Sequence, residues 1–310
     1  MNNFKTISRG AAVCAAILAL GVAGCGSSSD TANSGLSGKI AIDGSSTVYP
    51  FAQAAAEQFN GESPNVQITV GESGTGGGFE KFCAGETDIS NASRPIDPDE
   101  VKICEKNGIK YTEVQVADDG IAIVTNPDLK VKCLTTDQLK QVWEKGSKVN
   151  ELSSLASDLP SGKLSLYGPG TDSGTFDYFT EAINGEKGNT RSDYQPSEDD
   201  NVLVQGVSGD KGGLGYFGFS YFESNQDKLN LVAVDGGDGC VTPSIETIQS
   251  GTYKPLSRPL FMYIKQDSLA KPDVKAFITY TLDNNEAIAT SAKIVPMSAE
   301  NTTKAKQAIS

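Results

Sequence analysis

The chain has 310 residues, a formal net charge of −13 and no histidine. This length is sufficient for two domains of ordinary size, each with its own hydrophobic core. The acidic balance argues against a surface that binds nucleic acid or an anionic membrane. Without histidine a Ser-His-Asp triad cannot be assembled, and no dense cluster of metal-ligating residues stands out in the sequence. We therefore expect a protein that is not an enzyme and has no cofactor or metal.

The first 25 residues have the pattern of an export signal. Lys5 and Arg9 make a basic start, residues 11–22 form an apolar run, and the sequence Val-Ala-Gly-Cys ends at Cys25. The apolar run is too short for a membrane span, so we interpret residues 1–25 as a cleaved signal peptide. Residues 26–38, rich in Ser and Gly, then form a flexible tether.

Val-Ala-Gly-Cys resembles the lipobox of bacterial lipoproteins, in which the cysteine is acylated and becomes the first residue of the mature chain. The resemblance implies that Cys25 carries a lipid such as palmitate, which holds the protein outside the cytoplasm on the cell membrane. A plain secretory signal with an incidental cysteine is the alternative. Loss of Lys5 and Arg9 with the signal takes the net charge from −13 to −15.

The exported part begins with a predicted strand at 39–43, a turn rich in Gly and Ser at 44–50, and an amphipathic helix. Ser46 and Thr47 stand where that helix is expected to start. Their hydroxyls can cap the helix or donate to a bound anion, and capping alone is common.

The same arrangement follows a second time, with a strand at 66–70, a glycine-rich turn at 71–78 and a helical segment that ends near residue 83. A helix N-terminus presents unpaired N–H groups and the positive end of the helix dipole, which suit an anion. The glycines of the turn let the backbone approach a ligand closely. Farther along, Arg94 offers a planar fork of donors that can grip an oxyanion.

Residues 111–125 are largely β-like but are interrupted at 117–120, a turn-like segment that contains Asp119. We interpret this interruption as the first crossing into a second domain. A third turn rich in Gly, Ser and Thr follows in that domain at 168–175, between a predicted strand and an amphipathic helix. Three such turns argue for one shared oxyanion ligand.

The last part of the chain returns to the first domain. Residues 258–264 are apolar and strand-like, and we interpret them as the second crossing. Two crossings make a hinge, and the cleft between two lobes is a favoured ligand site. This organisation assigns 39–118 and 256–310 to lobe I and 119–255 to lobe II.

We also predict a polar loop at 184–200, strands at 163–167, 212–218 and 229–234, and helices at 97–107, 135–145, 243–250, 273–284 and 299–309.

Four cysteines remain in the exported chain, Cys83, Cys104, Cys133 and Cys240. An even number in an exported protein implies disulfides, and four cysteines allow three pairings. We favour Cys83 with Cys104 and Cys133 with Cys240, because this grouping keeps each bond inside one domain. A zinc site is a weak alternative, since the chain has no C-x-x-C motif and no histidine.

Taken together, the three turns resemble those of the phosphate-binding lipoproteins of bacterial ABC transporters, over the chain from about residue 39 to its end. The motifs are Gly-Ser-Ser-Thr-Val-Tyr-Pro at 44–50, Ser-Gly-Thr-Gly-Gly-Gly at 73–78 with Asp-Ile-Ser-Asn-Ala-Ser-Arg-Pro at 88–95, and Asp-Ser-Gly-Thr at 172–175.

This resemblance implies an α/β, two-lobed periplasmic-binding-protein fold of the type II-like kind. It also implies a monomeric receptor that binds inorganic phosphate in the cleft and delivers it to the permease subunits of an ABC transporter. Carried over by position, the phosphate ligands are Ser46, Thr47, the Val48 N–H, Thr75, Ser173, Gly174 and Thr175.

The match departs from the family at both of its charged contacts. The best-known members have an arginine where this chain has Pro169 and an aspartate where it has Arg94. Our hypothesis is that Arg94 supplies the guanidinium and that Asp119 accepts the proton of monohydrogen phosphate, a proton that sulfate lacks. The alternatives are a structural salt bridge for Arg94 and a turn role for Asp119.

Two other functions fit parts of this sequence. A receptor for sulfate, molybdate or another oxyanion would keep the same fold and the same turns. An exported hydrolase of phosphoesters is the weaker alternative, since the chain lacks histidine.

Overall fold

A computed structural model describes residues 35–171, 173–197 and 199–310 of the chain. The predicted signal peptide, the proposed lipidation at Cys25 and most of the tether lie outside the described residues, as does Asp172 of the third turn. No helix within the described ranges is both long enough and apolar enough to cross a membrane.

The strands form a mixed sheet to which every described strand belongs. Its main path runs in the order β2-β1-β3-β11-β4-β8-β6-β7, with β9 pairing on β4 and the short β5 and β10 pairing on β9. The bounds are β1 Gly38–Gly44, β2 Val66–Val70, β3 Ile89–Ala92, β4 Tyr111–Thr125, β5 Cys133–Thr135, β6 Ser165–Pro169, β7 Gln195–Ser197, β8 Gly213–Gly218, β9 Asn230–Asp235, β10 Cys240–Val241 and β11 Ser257–Lys265.

Helices cover the sheet and several of them begin at the carboxyl ends of its strands. The bounds are α1 Tyr49–Glu62, α2 Gly74–Cys83, α3 Pro98–Lys106, α4 Thr136–Trp143, α5 Gly174–Asn184, α6 Asp200–Gly209, α7 Phe219–Glu223, α8 Ile245–Gln249, α9 Gln266–Leu269, α10 Pro272–Asp283, α11 Asn285–Ser291 and α12 Ala299–Ala308.

Two hydrophobic cores lie on either side of the middle of β4. The first packs α1 and α10 against β1, β11 and the part of β4 before Asp118, and the second includes Ile121, Trp143 and Phe179. We treat these cores as lobe I and lobe II of an α/β periplasmic-binding-protein fold. The exact lobe boundaries stay a prediction.

The two crossings of the sequence analysis are the neighbouring strands β4 and β11. They run antiparallel in register from Ser257 opposite Gly120 to Lys265 opposite Tyr111, with one irregularity between Leu260 and Phe261. The predicted interruption of β4 at 117–120 is therefore wrong, because pairing with β11 holds this turn-like segment in an extended conformation. Tertiary pairing decides strand formation more strongly than local propensity does.

Four helices are absent from the prediction, namely α6, α7, α9 and α11. In α6 the buried side chains are Leu203, Val204 and Val207, but glycines at positions 206 and 209 weaken the helical signal. The predicted polar loop at 184–200 contains the short edge strand β7, which pairs with β6.

The structure forms disulfides between Cys83 and Cys104 and between Cys133 and Cys240. This is the pairing that the grouping by domain favours. The first bond joins the end of α2 to α3 inside a small aromatic cluster, and the second joins β5 to β10. The first bond therefore fixes the helix that begins at the second turn.

Candidate functional site

A cavity of about 220 Å³ lies where the turn before α1 meets the first residues of α2 and α5. Polar side chains and glycines from all three turns face it, together with charged side chains from both lobes. Its lining residues are Ser45, Ser46, Thr47, Gly74, Thr75, Gly76, Ser93, Arg94, Gly174, Asp177, Tyr178, Glu181, Lys187 and Arg258.

A second cavity of about 370 Å³ adjoins the first and shares Ser46, Thr47 and Gly174 with it. Ser173, Thr175 and Asp119 line this second cavity. A Cβ atom at Gly174 would overlap the hydroxyl of Thr47. The first and third turns therefore approach one another as closely as they do only because position 174 is glycine.

The turn before α1 leaves its hydroxyls available to a ligand. Val48 is the N-cap residue of α1 and makes no side-chain capping bond, so Ser46 and Thr47 lie before the cap. The capping alternative for these two hydroxyls is wrong. Val48 is fully buried and does not line either cavity with its side chain.

The second and third turns use part of their hydroxyl groups internally. The hydroxyl of Thr75 lies 3.1 Å from that of Ser93 and accepts a bond from the Ser93 N–H. Ser173 caps α5 by accepting from the Thr175 N–H at 3.2 Å. Thr47, Thr75 and Gly174 thus share the first cavity, while Ser173 and Thr175 face the second.

Arg258 supplies the guanidinium nearest to the first turn. Its Nη2 donates to the Thr47 hydroxyl at 2.9 Å and lies 3.3 Å from the Asp119 carboxylate. Within the described residues its Nη1 has no hydrogen-bond partner, and the side chain is only 16% exposed. A partly buried guanidinium that keeps unused donors beside this cavity suits an oxyanion ligand.

Arg258 is not among the predicted site residues because it begins an apolar segment that has the pattern of an ordinary strand. Arg258 and Asp119 are exact neighbours in the β4–β11 register, although they are 139 positions apart in the chain. The sequence does offer one signal for this contact. A single cation, Arg258, begins the second crossing, and an acidic residue, Asp119, lies in the first crossing.

Arg94 lines the cavity, but its planar fork is occupied. Its two terminal nitrogens donate to the two carboxylate oxygens of Glu100 at 2.9 and 2.8 Å, and Asp97 lies 3.1 Å away. The bonds to Glu100 raise the pKa of Arg94, so the guanidinium stays charged. The structure shows the salt bridge, and a role of Arg94 in anion binding stays a prediction.

Asp119 lies in β4 opposite Arg258, with its carboxylate against the guanidinium and 10% of its side chain exposed. Its role as a proton acceptor stays a prediction. The neighbouring Asp118 is 3% exposed, and one of its carboxylate oxygens has no partner in the described part of the chain. Burial raises the pKa of Asp118 to about 7, and the charge of Asp119 adds to this rise.

Charges of both signs meet at the mouth of the cavity. Asp177 and Glu181 lie one helical turn apart on α5, and Lys187 pairs with Asp177 at 2.6 Å. Glu181 also contributes to the raised pKa of Arg94 from across the cleft. No cluster of three or more metal-ligating side chains occurs in the described ranges.

Comparison with known proteins gives consistent matches. Residues 29–285 match the model of the PBP superfamily domain. Protein SphX of Synechococcus elongatus is 46% identical over 271 residues, which cover 86% of this chain and 80% of the relative. The phosphate-binding protein PstS of Staphylococcus haemolyticus is 39% identical over 292 residues, covering 92% of this chain and 90% of the relative. The crystal structure of a possible phosphate-binding protein from Planctomyces limnophilus superposes with a TM-score of 0.82 at 44% identity, covering 88% of this chain and 98% of that one.

The pKa of Asp118 predicts an unusual dependence of stability on pH. Because the folded-state pKa is raised, the stability contributed by its neutral carboxyl is fully present below about pH 4 and is lost as the pH rises through about 7. We expect Asp118→Asn, which stays neutral, to increase the free energy of unfolding at pH 8 by on the order of 2 kcal/mol. At pH 4 the variant and the wild type should be nearly equal.

Thermal and urea unfolding at pH 4, 6 and 8 measure this difference. Asp99→Asn is the matched control, since that carboxylate is 90% exposed. A variant at position 118 that is less stable than the wild type at pH 8 would contradict the assignment of a neutral carboxyl.

Proposed function

The chain belongs to the PBP superfamily and to the PstS-like family of substrate-binding proteins, and on this basis we propose that it captures inorganic phosphate in the cavity between its lobes. The family works outside the cytoplasm as the receptor of a phosphate ABC transporter and is not a family of enzymes. The bound phosphate would therefore pass to the permease subunits of such a transporter.

The convergence of three helix-start turns on one cavity supports this proposal best. Each turn offers N–H groups and hydroxyls, and together they can surround a tetrahedral anion without help from solvent. Hydrogen bonds to a charged group contribute about 1.5 to 3 kcal/mol each. Several such bonds, less the cost of desolvation and lobe closure, are consistent with micromolar or tighter binding, about −8 kcal/mol.

We assign the charged contact first to Arg258, whose Nη1 has no partner in the described ranges and which lines the cavity. Arg94 is the second proposed charged contact at the rim, although Glu100 and Asp97 pair with its guanidinium in this structure. The proposed neutral donors are Ser46, Thr47, the Val48 N–H, Thr75, Ser173, Gly174 and Thr175.

Calorimetric titration with phosphate, sulfate and molybdate tests the function. We expect phosphate to bind with micromolar or better affinity and the other two anions to bind much more weakly. Arg258→Gln should weaken phosphate binding by roughly 10- to 100-fold, because it removes one charge-assisted contact.

Lys102→Gln is the control for loss of one positive charge, since Lys102 is 72% exposed and lines neither cavity. Unfolding curves of both variants establish that they are folded. Tighter binding of sulfate or molybdate would reassign the ligand, and an unchanged affinity in Arg258→Gln would remove this residue from the site.

Asp119 allows a separate test of specificity. If its carboxylate accepts the proton of monohydrogen phosphate, Asp119→Asn should reduce the preference for phosphate over sulfate by on the order of a thousandfold, because the acceptor that opposes sulfate is gone. If Asp119 only orients Arg258, both affinities should fall together and their ratio should persist. Competition binding with the two anions separates these outcomes.

The sequence alone supports a more detailed proposal about processing and membrane attachment. We propose that the signal peptide is cleaved before Cys25, that Cys25 carries the lipid and that residues 26–38 tether a monomeric receptor. We also propose that 39–118 with 256–310 form its lobe I and that 119–255 form its lobe II. Mass spectrometry of the mature N-terminus should find a diacylglyceryl-modified cysteine. An unmodified N-terminus at or near Cys25 would rule out the lipid anchor.

A further inference from the structure

Tyr178 is the aromatic side chain in direct contact with the guanidinium of Arg258. The Cζ atom of Arg258 lies 3.8 Å from the centroid of the Tyr178 ring. Both side chains line the first cavity, and Tyr178 is 9% exposed. At this distance and with this burial, the ring face and the cation attract one another.

The ring of Tyr178 is itself held in place. Its hydroxyl donates to the carbonyl oxygen of Pro255, three residues before Arg258 in the chain. Burial raises the pKa of Tyr178 far above its ordinary value, so the hydroxyl keeps its proton and remains a donor. The hydroxyl of Tyr178 therefore contacts the segment just before β11, and the face of its ring contacts the guanidinium of Arg258.

The hydrogen bonds of Arg258 act in the plane of its guanidinium and do not restrain motion perpendicular to that plane. Asp119 and Thr47 engage Nε and Nη2, and in the described residues no hydrogen bond restrains Nη1. An arginine side chain has many rotamers, and ordering them during ligand binding reduces affinity. A ring stacked on the guanidinium plane restricts that freedom before the anion arrives.

Tyr178 also links this arginine to the third turn. It lies on α5, the helix that begins with Gly174 and Thr175, whereas Arg258 lies on the strand that joins the lobes. A movement of α5 relative to β11 would therefore change the position of the guanidinium and of the third turn together.

We propose that Tyr178 is a positioning residue for anion binding: its ring holds the Arg258 guanidinium in the orientation that an oxyanion requires and couples that orientation to α5. This proposal rests on the proposed function of the site. The essential part of Tyr178 is its ring, and the hydroxyl has a secondary role.

Two substitutions separate the ring from the hydroxyl. Tyr178→Phe should bind phosphate within about threefold of the wild type, because the aromatic face remains. Tyr178→Leu should bind about 10-fold more weakly or worse, since it removes the face and frees the guanidinium. Tyr280→Leu is the matched control, because Tyr280 lines neither cavity.

A double-mutant cycle distinguishes positioning from general damage to the fold. In the Arg258→Gln background, Tyr178→Leu should cause little further loss of phosphate affinity, since the group that it positions is absent. An equal loss in both backgrounds, or wild-type affinity in Tyr178→Leu, would overturn the proposal.

A measurement on the phosphate-free protein tests the positioning role of Tyr178 independently of the proposed phosphate binding. In the phosphate-free protein, the Nε–H signal of Arg258 in a nitrogen-15 NMR spectrum should be slow to exchange in the wild type and in Tyr178→Phe, and fast or absent in Tyr178→Leu. An unchanged signal in Tyr178→Leu would overturn the positioning role. A wild type that shows the signal but does not bind phosphate would contradict only the proposed function.

Discussion

The antiparallel pairing of β4 with β11 is the constraint on which the site depends. These two strands are the crossings between the cores, and their register places Arg258 directly opposite Asp119. The same register sets where the chain leaves each core, and so where the turns before α1 and α5 can meet. Strand pairing over a sequence separation of about 140 residues thus builds a site whose individual parts are local. A one-residue slip would turn the Arg258 side chain to the opposite face of the sheet.

The three turns could be predicted from the sequence because their signal is local. A strand, a cluster of small polar residues and an amphipathic helix appear within about 25 residues in each case. The two-lobed fold is what the resemblance of these turns to the phosphate-binding lipoproteins implies. The details at each helix start could not be predicted. Residues such as Ser46 and Thr47 have the composition of N-caps, yet α1 starts one residue later with Val48 as its cap. Backbone geometry at the turn, rather than residue type, decides which hydroxyl remains available.

The charged contacts were the least predictable part of the site, because charge pairing is decided by distance in the fold. Arg94 has the planar pair of donors that an oxyanion requires. Both donors instead bond to Glu100, six residues later, which also forms part of the capping box of α3. The neighbouring carboxylates Asp118 and Asp119 looked like a turn, and strand pairing gave them different environments. Asp119 pairs with Arg258, whereas Asp118 is buried and its pKa is raised. No local pattern distinguishes the two.

A protein with a net negative charge can bind an anion when the repulsion from its surface charges is short-ranged and its hydrogen-bond donors lie close to the anion. At physiological ionic strength, screening reduces the repulsion from charges more than about 8 Å away. Of the two acids at the cavity rim, Asp177 pairs with Lys187, and Glu181 is attracted by the more distant charge of Arg94. The interior of the cavity then presents glycines, hydroxyls and the one deeply placed guanidinium of Arg258. Because Gly174 lets the first and third turns touch, these donors lie close enough to replace the hydration shell of a small anion, which a net charge on the protein surface cannot do.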